Sequence, residues 1–289
     1  MMKKTITIET RKKFVGLAFI SLWLVGLILF WIYPLVYSLF MSLNKVTIMT
    51  DHLQFDFVGF ANFKKALTQD AAIPNTFLQF IQQTVLIIPI IVVFSLIIAL
   101  LLNQKFKGRG LIRGIFFLPV VLTSGNLINT LVGQKQGSIS FLVSVTARDT
   151  FSSLGPTWGA TVNNILANFL IILWYSGVQM LILIAGLQSI SPSVYEAAKI
   201  DGANGWEALW KITLPGITPF IFISTVYTIV DQFTLTSNPI LKIVNDTIFG
   251  SNMGFGYASA ISWLYFIVIT LFLAVSFLIF RNSLRGMRR

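Results

Sequence analysis

The chain holds almost nothing that can make or break a covalent bond. It has one histidine, His52, and no cysteine, so disulfides and thiolate metal sites are excluded. His52 stands alone on a polar loop, too isolated for metal or acid–base work. No G-x-x-x-x-G-K-[ST] occurs in the sequence, so ATP is not bound here in the P-loop manner. The expectation is no catalytic residue, no metal and no cofactor in this chain. What remains is hydrogen bonding and stacking by a few polar and aromatic residues inside long apolar stretches: Trp174, Tyr175, Gln179, Tyr227, Asp231 and Gln232, with Ser124 and Asn126 as weaker candidates. Asp231 is the only acidic residue within such a stretch. A carboxylate at membrane depth is costly and normally faces a bundle interior or water. It either pairs with a partner subunit or helix dipole, or it accepts hydrogen bonds from a solute.

The elements that must position these residues are membrane helices. Of 289 residues, 55% are hydrophobic and 11% charged, where soluble domains average about 25% charged. Six apolar runs, at about 14–43, 77–102, 111–132, 162–187, 215–235 and 258–280, each approach or exceed the roughly 20 helical residues that cross a hydrocarbon core of about 30 Å. Their lengths fit helices, which satisfy their own backbone hydrogen bonds, better than barrel strands. The fold class expected is an all-α membrane protein with six spans in one domain, 1–289. The first run is too long for the apolar region of a signal peptide, and no small-x-small cleavage site follows it. It is expected to stay as a helix that tilts, bends or protrudes, with Pro34 as the bend.

Charge orients the spans. The N-terminal segment carries Lys3, Lys4, Arg11, Lys12 and Lys13 against Glu9; the 103–113 turn carries Lys105, Lys107, Arg109 and Arg113; the C-terminal tail carries Arg281, Arg285, Arg288 and Arg289. Each is +4, the 188–214 loop is −1, and together they account for the +11 of the whole chain. With these segments in the cytoplasm, the opposite side is nearly neutral. That is the positive-inside pattern. The basic residues flank spans and form no face for nucleic acid; their ordinary partners are anionic lipid headgroups.

Between the fourth and fifth runs lies a charged insertion with its own helix signals. Ser191-Pro192 and Ser193-Val194-Tyr195-Glu196 both read as helix starts, the second as a capping box. Gly202 reads as a stop. A second short helix, Trp206 to Lys211, follows, and Pro215 opens the fifth span. Two short helices parallel to the membrane are expected, with Tyr195, Ile200 and Trp206 pointing back to the bundle. Small Ala197 and Ala198 would admit a partner's groove, and Glu196 would offer it a charge.

Glu196-Ala197-Ala198, Asp201-Gly202-Ala203 and Ile212-Thr213-Leu214-Pro215 together resemble the EAA loop of binding-protein-dependent ABC importer permeases, in the carbohydrate (maltose-type) branch. Phe57-Val58-Gly59-Phe60-Ala61-Asn62-Phe63 resembles the signature that follows the first helix of sugar permeases. Phe116-Phe117-Leu118-Pro119 and Ile184-Ala185-Gly186-Leu187-Gln188 are also similar to this family. The resemblance implies that Tyr195, Glu196, Ala197, Ala198, Asp201, Gly202, Ala203, Leu214 and Pro215 form the contact with a cytoplasmic ATPase. It implies a second permease subunit, an ATPase dimer that carries the ATP and magnesium, an extracellular solute-binding protein and a glycan solute. It implies a multi-pass location in a bacterial or archaeal cell membrane, both termini cytoplasmic.

In that family the sugar contacts fall largely on the helices before and after the loop. A sugar needs flat aromatic faces for its C–H surfaces and planar donor–acceptor groups for its hydroxyls. Trp174, Tyr175, Asp231 and Gln232 therefore rank above the other candidates. After the fifth span the family often has Thr-x-Gly-Gly-Pro, where this chain has Thr236-Ser237-Asn238-Pro239. The loop at 133–161 also departs from the family and is assigned no residues. Two classes of alternative stay open: the same machine for an amino acid, peptide or phosphate ester, and an ion-coupled carrier or a membrane scaffold that uses no ATPase.

Overall fold

The structure is a computed structural model that describes residues 8–48, 52–104, 106–122, 155, 159, 175–235, 237–250 and 254–286. Among these residues, four helical stretches are long and apolar enough to cross a membrane: Phe19–Ser42, Ala72–Asn103, Gly205–Phe249 and Gly254–Ser283. A fifth is added if Gly177–Ser189 and Pro192–Ile200, bent by 62°, are taken as one broken span. The spans expected at 111–132 and 162–187 are described only over Arg109–Leu122 and Gly177–Ser189. The chain forms two compact units, Met1–Asp70 with Val244–Leu264, and Ala71–Ile243 with Tyr265–Arg289.

In the first unit the helix Ile8–Leu27 runs through a π-helical turn, Ile28–Ile32, into the helix Tyr33–Ser42. The irregularity falls where Pro34 was expected to cause one. Proline has no amide hydrogen for the carbonyl four residues back, here that of Phe30, and the ladder is widened just before it. The next segment is the one sheet among the described residues of this all-α membrane fold. Asn44–Ile48 and Leu53–Phe57 form an antiparallel hairpin that sets Lys45 opposite Asp56 and Val46 opposite Phe55.

The Phe57–Phe63 signature then acts as a clasp. Gly59 takes a left-handed turn at φ +57°, and the Asn62 Nδ2 donates to the carbonyls of Ser42 at 2.9 Å and Asn44 at 3.0 Å. Carbonyls at a helix C-terminus lack intrahelical donors, and Asn62 supplies one. Phe57 and Phe60 stay exposed.

The start of the helix Gly254–Gly286 is seated on this clasp. Tyr257 donates to Asp70 Oδ2 at 3.2 Å, the Lys65 ammonium lies 5.1 Å from the Tyr257 ring centre, and the Trp263 indole donates to Ser38 at 3.2 Å. A side chain on Gly256 would run into the backbone carbonyl of Asn44. Gly256→Ala is therefore expected to destabilise this unit by roughly 1–3 kcal/mol, the usual range for overpacking. Thermal unfolding of the purified chain in detergent measures it, and an unchanged midpoint would contradict the close approach.

In the second unit Ala72–Asn103, Arg109–Leu122, Gly177–Ser189 and Leu214–Thr234 pack around Ala99, Leu102, Met180, Leu183, Ile184, Leu187 and Ile217. The Arg113 guanidinium donates to the Leu102 carbonyl at 2.9 Å and so closes the end of the helix it follows. Gly177–Ser189 and Leu214–Thr234 approach each other closely. A Cβ on Gly186 would lie 2.6 Å from the Phe220 ring, and one on Gly216 would lie 3.0 Å from Ile190. Small residues at such crossings let membrane helices approach closely. The departure at 236–239 has a structural role: the Asn238 Oδ1 accepts from the Ile240 amide at 2.9 Å and caps the helix Pro239–Phe249. Tyr265 donates to the Phe233 carbonyl at 2.6 Å inside a cluster of Phe80, Phe233 and Phe272.

Candidate coupling loop and solute pathway

The loop at 188–214 is held by local hydrogen bonds. Ile190 and Ser191 are extended, and Pro192 takes the first turn of the helix Pro192–Ile200, where a missing amide hydrogen costs nothing. The helix ends in a Schellman motif. Gly202 N–H donates to Lys199 O at 3.1 Å and Ala203 N–H to Ala198 O at 2.9 Å. Gly202 sits at φ +82°, with open space around it. Its role as the stop is as expected.

Three expectations for this loop are corrected. The capping box is not at Ser193 and Glu196: Ser191 is the N-cap and makes no side-chain cap bond. It lies one helix later, where Asn204 Oδ1 accepts from Glu207 N at 2.9 Å and Glu207 Oε2 accepts from Asn204 N at 3.1 Å. The second short helix is not separate. Gly205–Ala208 passes through a π-helical turn, Leu209–Thr213, directly into Leu214–Thr234, because no residue between Ala208 and Leu214 breaks the helical backbone. Ile200 and Trp206 do not turn inward; they are 87% and 68% exposed. Of the paired alanines Ala198 is buried against the chain itself, while Ala197, Glu196, Asp201 and Pro215 are exposed and Tyr195, Ala203 and Leu214 half-buried.

Gln179 lies on Gly177–Ser189 and Tyr227, Asp231 and Gln232 on Leu214–Thr234, the two helices that flank the loop, and Tyr175 stands just before the first of them; Trp174, Ser124 and Asn126 lie outside the described residues. The antiparallel contacts Gly186–Phe220 and Ile190–Gly216 set the register. Continued one turn at a time along Gly177–Ser189, it brings Gln179 level with Tyr227 and Thr228; Tyr175 packs against Ile87 and Ile91. Gln179 is fully buried, and neither its amide oxygen nor its amide nitrogen has a partner among the described residues; the same holds for buried Ser224 Oγ and Gln232 Nε2. Sequence reading missed Ser224 and Thr228. Their signal was a polar residue at every fourth position of an apolar helix, Ser224, Thr228 and Gln232, which places all three on one face. All three are buried.

Residues 71–289 match the family described as "Binding-protein-dependent transport system inner membrane component". The chain belongs to this family. It is similar to the probable ABC transporter permease protein YesP of Bacillus subtilis (strain 168), 28% identical over 302 residues, covering 98% of this chain and 94% of that protein. It is also similar to the multiple sugar-binding transport system permease protein MsmF of Streptococcus mutans, 31% identical over 277 residues, covering 89% and 92%. Among solved structures it matches a bacterial alginate ABC transporter in complex with alginate pentasaccharide-bound periplasmic protein, at a TM-score of 0.58 and 17% identity, covering 93% of this chain and 94% of that one. At that identity the likeness is one of fold.

Membership makes the chain a multi-pass membrane permease subunit of an ABC importer, with ATP hydrolysis on a separate subunit. In this permease the loop's one ion pair among the described residues, Lys211 to Glu207 at 3.5 Å, sits on the capping box. The Asn204 amide first and the Lys211 charge second hold the Glu207 pKa below its usual value. A depressed carboxyl supports the fold above its unfolded pKa and loses that support as pH falls through the folded one. Amide exchange at Glu207 and Ala208 is therefore expected to quicken, relative to neighbouring helix amides, as pH drops below the ordinary glutamate range. A Glu207→Gln chain should show no such step.

Proposed function

We propose that this permease forms one half of the transmembrane pathway of an ATP-driven importer of an oligosaccharide or related glycan, with the loop at 191–215 as the contact through which a separate ATPase moves it. The observation that carries the reading is the helix Pro192–Ile200. It starts at Pro192, is closed at its C-terminus by the Schellman motif, is bent 62° from Gly177–Ser189, and leads into the helix that carries the facing polar residues. A capped helix transmits displacement where a slack loop would absorb it. Glu196, Ala197, Asp201, Gly202 and Pro215 form the docking region, with Tyr195, Ala198, Ala203 and Leu214 supporting it from within. The glycan reading is supported by the seam of aromatic, amide, hydroxyl and carboxylate groups on the flanking helices, which includes no lysine or arginine, and by MsmF, a relative named for sugars.

Six spans at about the boundaries given above make half a pathway, and a second permease completes it. Both termini and the 188–214 loop are cytoplasmic, in a bacterial or archaeal cell membrane. A binding protein delivers solute from outside. ATP closure of the ATPase dimer draws the two permeases' loops together and opens the cavity outward. The free energy enters through the different affinities of the partners for the two pathway states.

The test is reconstitution in liposomes of the chain with its companion permease, ATPase and binding protein, assayed with a panel of radiolabelled oligosaccharides. Uptake of at least one, dependent on ATP and on the binding protein, is expected. Uptake by the chain alone, driven by an ion gradient, would overturn the reading. So would labelling of residues 191–215 from the outside of intact cells.

A further inference from the structure

The side chain of Tyr195 and the base of the helix Leu214–Thr234 are joined by a contact that neither the motif nor the family assignment accounts for. Tyr195 Oη and Thr213 Oγ1 are 3.0 Å apart, and Thr213 Oγ1 lies 3.2 Å from the Ala208 carbonyl. A hydroxyl has one proton to give. A carbonyl can only accept, so Thr213 donates to Ala208 and Tyr195 donates to Thr213. Thr213 is buried and Tyr195 half-buried. Among the described residues this is the one side-chain hydrogen bond between Pro192–Ile200 and the helix that follows it.

The receiving end is unusual in its backbone. Leu209–Thr213 is a π-helical turn, and Thr213 hydroxyl to Ala208 carbonyl spans that turn from end to end. π-turns inside helices carry an extra residue and recur at functional sites. They are the part of a helix in which a change of register is easiest. The phenol thus touches the residue that fastens this turn, at the junction between the exposed loop and the buried polar seam.

We propose that the Tyr195–Thr213 hydrogen bond is the strut that carries displacement of the helix Pro192–Ile200 into the helix Leu214–Thr234, with the π-turn Leu209–Thr213 as the joint it acts on. The proposal rests on the reading of this loop as the ATPase contact. Tyr195 and Thr213 are positioning residues: neither touches solute or nucleotide. Removing either hydroxyl leaves a helix that still docks but moves its neighbour less.

The chain has no cysteine, so an introduced thiol is the only one in it, and modification is read on this chain after it is separated from its partners. Ser224→Cys puts that thiol on the buried face of Leu214–Thr234. In the complete complex, maleimide modification of that thiol is compared with and without ATP and vanadate. Tyr195→Phe and Thr213→Val are each expected to reduce the ATP-dependent acceleration by roughly two- to tenfold, the range that loss of one hydrogen bond spans. The double variant should lose no more than either alone, and Thr213→Ser should retain the acceleration. Co-purification of the ATPase should be unchanged in all four.

Unchanged acceleration in both Tyr195→Phe and Thr213→Val overturns the strut while leaving the loop's role as ATPase contact intact. Loss of ATPase from both variants, with Thr213→Ser normal, also overturns it, because the bond would then be holding the loop's shape. Failure of the unsubstituted loop to retain the ATPase at all removes the underlying reading, and with it the strut; co-purification shows this before any thiol is modified.

Discussion

Gly202→Val should lower ATP-driven uptake by roughly 5- to 30-fold while the amount of chain inserted in the membrane stays the same. Gly202 adopts φ +82° at the end of Pro192–Ile200, and its amide closes the motif on Lys199. A residue with a Cβ pays about 1–2 kcal/mol for that left-handed geometry, which converts to the stated range, and a β-branched residue is at the upper end. No atom lies within 4 Å of the position a Cβ would take, so within this chain the cost is one of backbone and not of collision. Asn tolerates the left-handed region, and Gly202→Asn should therefore keep most of the uptake. The measurement is uptake in proteoliposomes, normalised to inserted protein. Full activity in Gly202→Val would mean that the rigid end of this helix is irrelevant. Equal loss in Val and Asn would mean that the open space beside Gly202 is filled by a partner, so that any side chain collides there.

That helix was legible in the sequence because its signals act over a few residues. Pro192 at a first turn and Gly202 at a stop need no knowledge of the rest of the fold. The capping box was misplaced for a related reason: two Ser/Asn-x-x-Glu patterns lie within fifteen residues, and an N-cap at Ser191 with Pro192 behind it leaves no second start for Ser193. Only the positions of the backbone amides decide between them.

The continuous helix after Gly205 was hidden because Pro215 reads as a boundary. Pro215 is nonetheless accommodated in the first turn of Leu214–Thr234, directly after the π-helical turn Leu209–Thr213. The hairpin at 44–57 was hidden because its anchor, Asn62, binds carbonyls at Ser42 and Asn44 that no local pattern announces. Ile200 and Trp206 were assigned inward because they are apolar, yet apolarity gives no direction in a subunit built for an assembly.

The seam was legible in part. Gln179 and Asp231 stand out in apolar stretches by type. Ser224 and Thr228 do not, because hydroxyls are common in membrane helices, where they bond their own backbone. Thr228 does so, donating to the Ser224 carbonyl at 2.8 Å. Ser224 does not, and its hydroxyl has no partner among the described residues.

This difference leads to an expectation of opposite sign for stability and activity. Gln179 is fully buried and its whole amide has no partner among the described residues, and an unsatisfied buried polar group costs about 1–3 kcal/mol. Gln179→Met keeps the length of the side chain and removes the amide. If the amide is retained for a solute that reaches it only when the pathway opens, Gln179→Met should raise the thermal stability of the complex by about 1–3 kcal/mol and reduce uptake at least tenfold. Its ATPase activity should stay close to normal, since the loop is untouched. A purely structural glutamine predicts otherwise: bound by water in the resting bundle, it would make the methionine variant less stable, with uptake falling only as far as the protein unfolds. Thermal unfolding and transport measured on one preparation separate the two cases. A stable, inactive variant with working ATPase would place Gln179 in the path of the solute, and a variant that is destabilised but fully active would remove it.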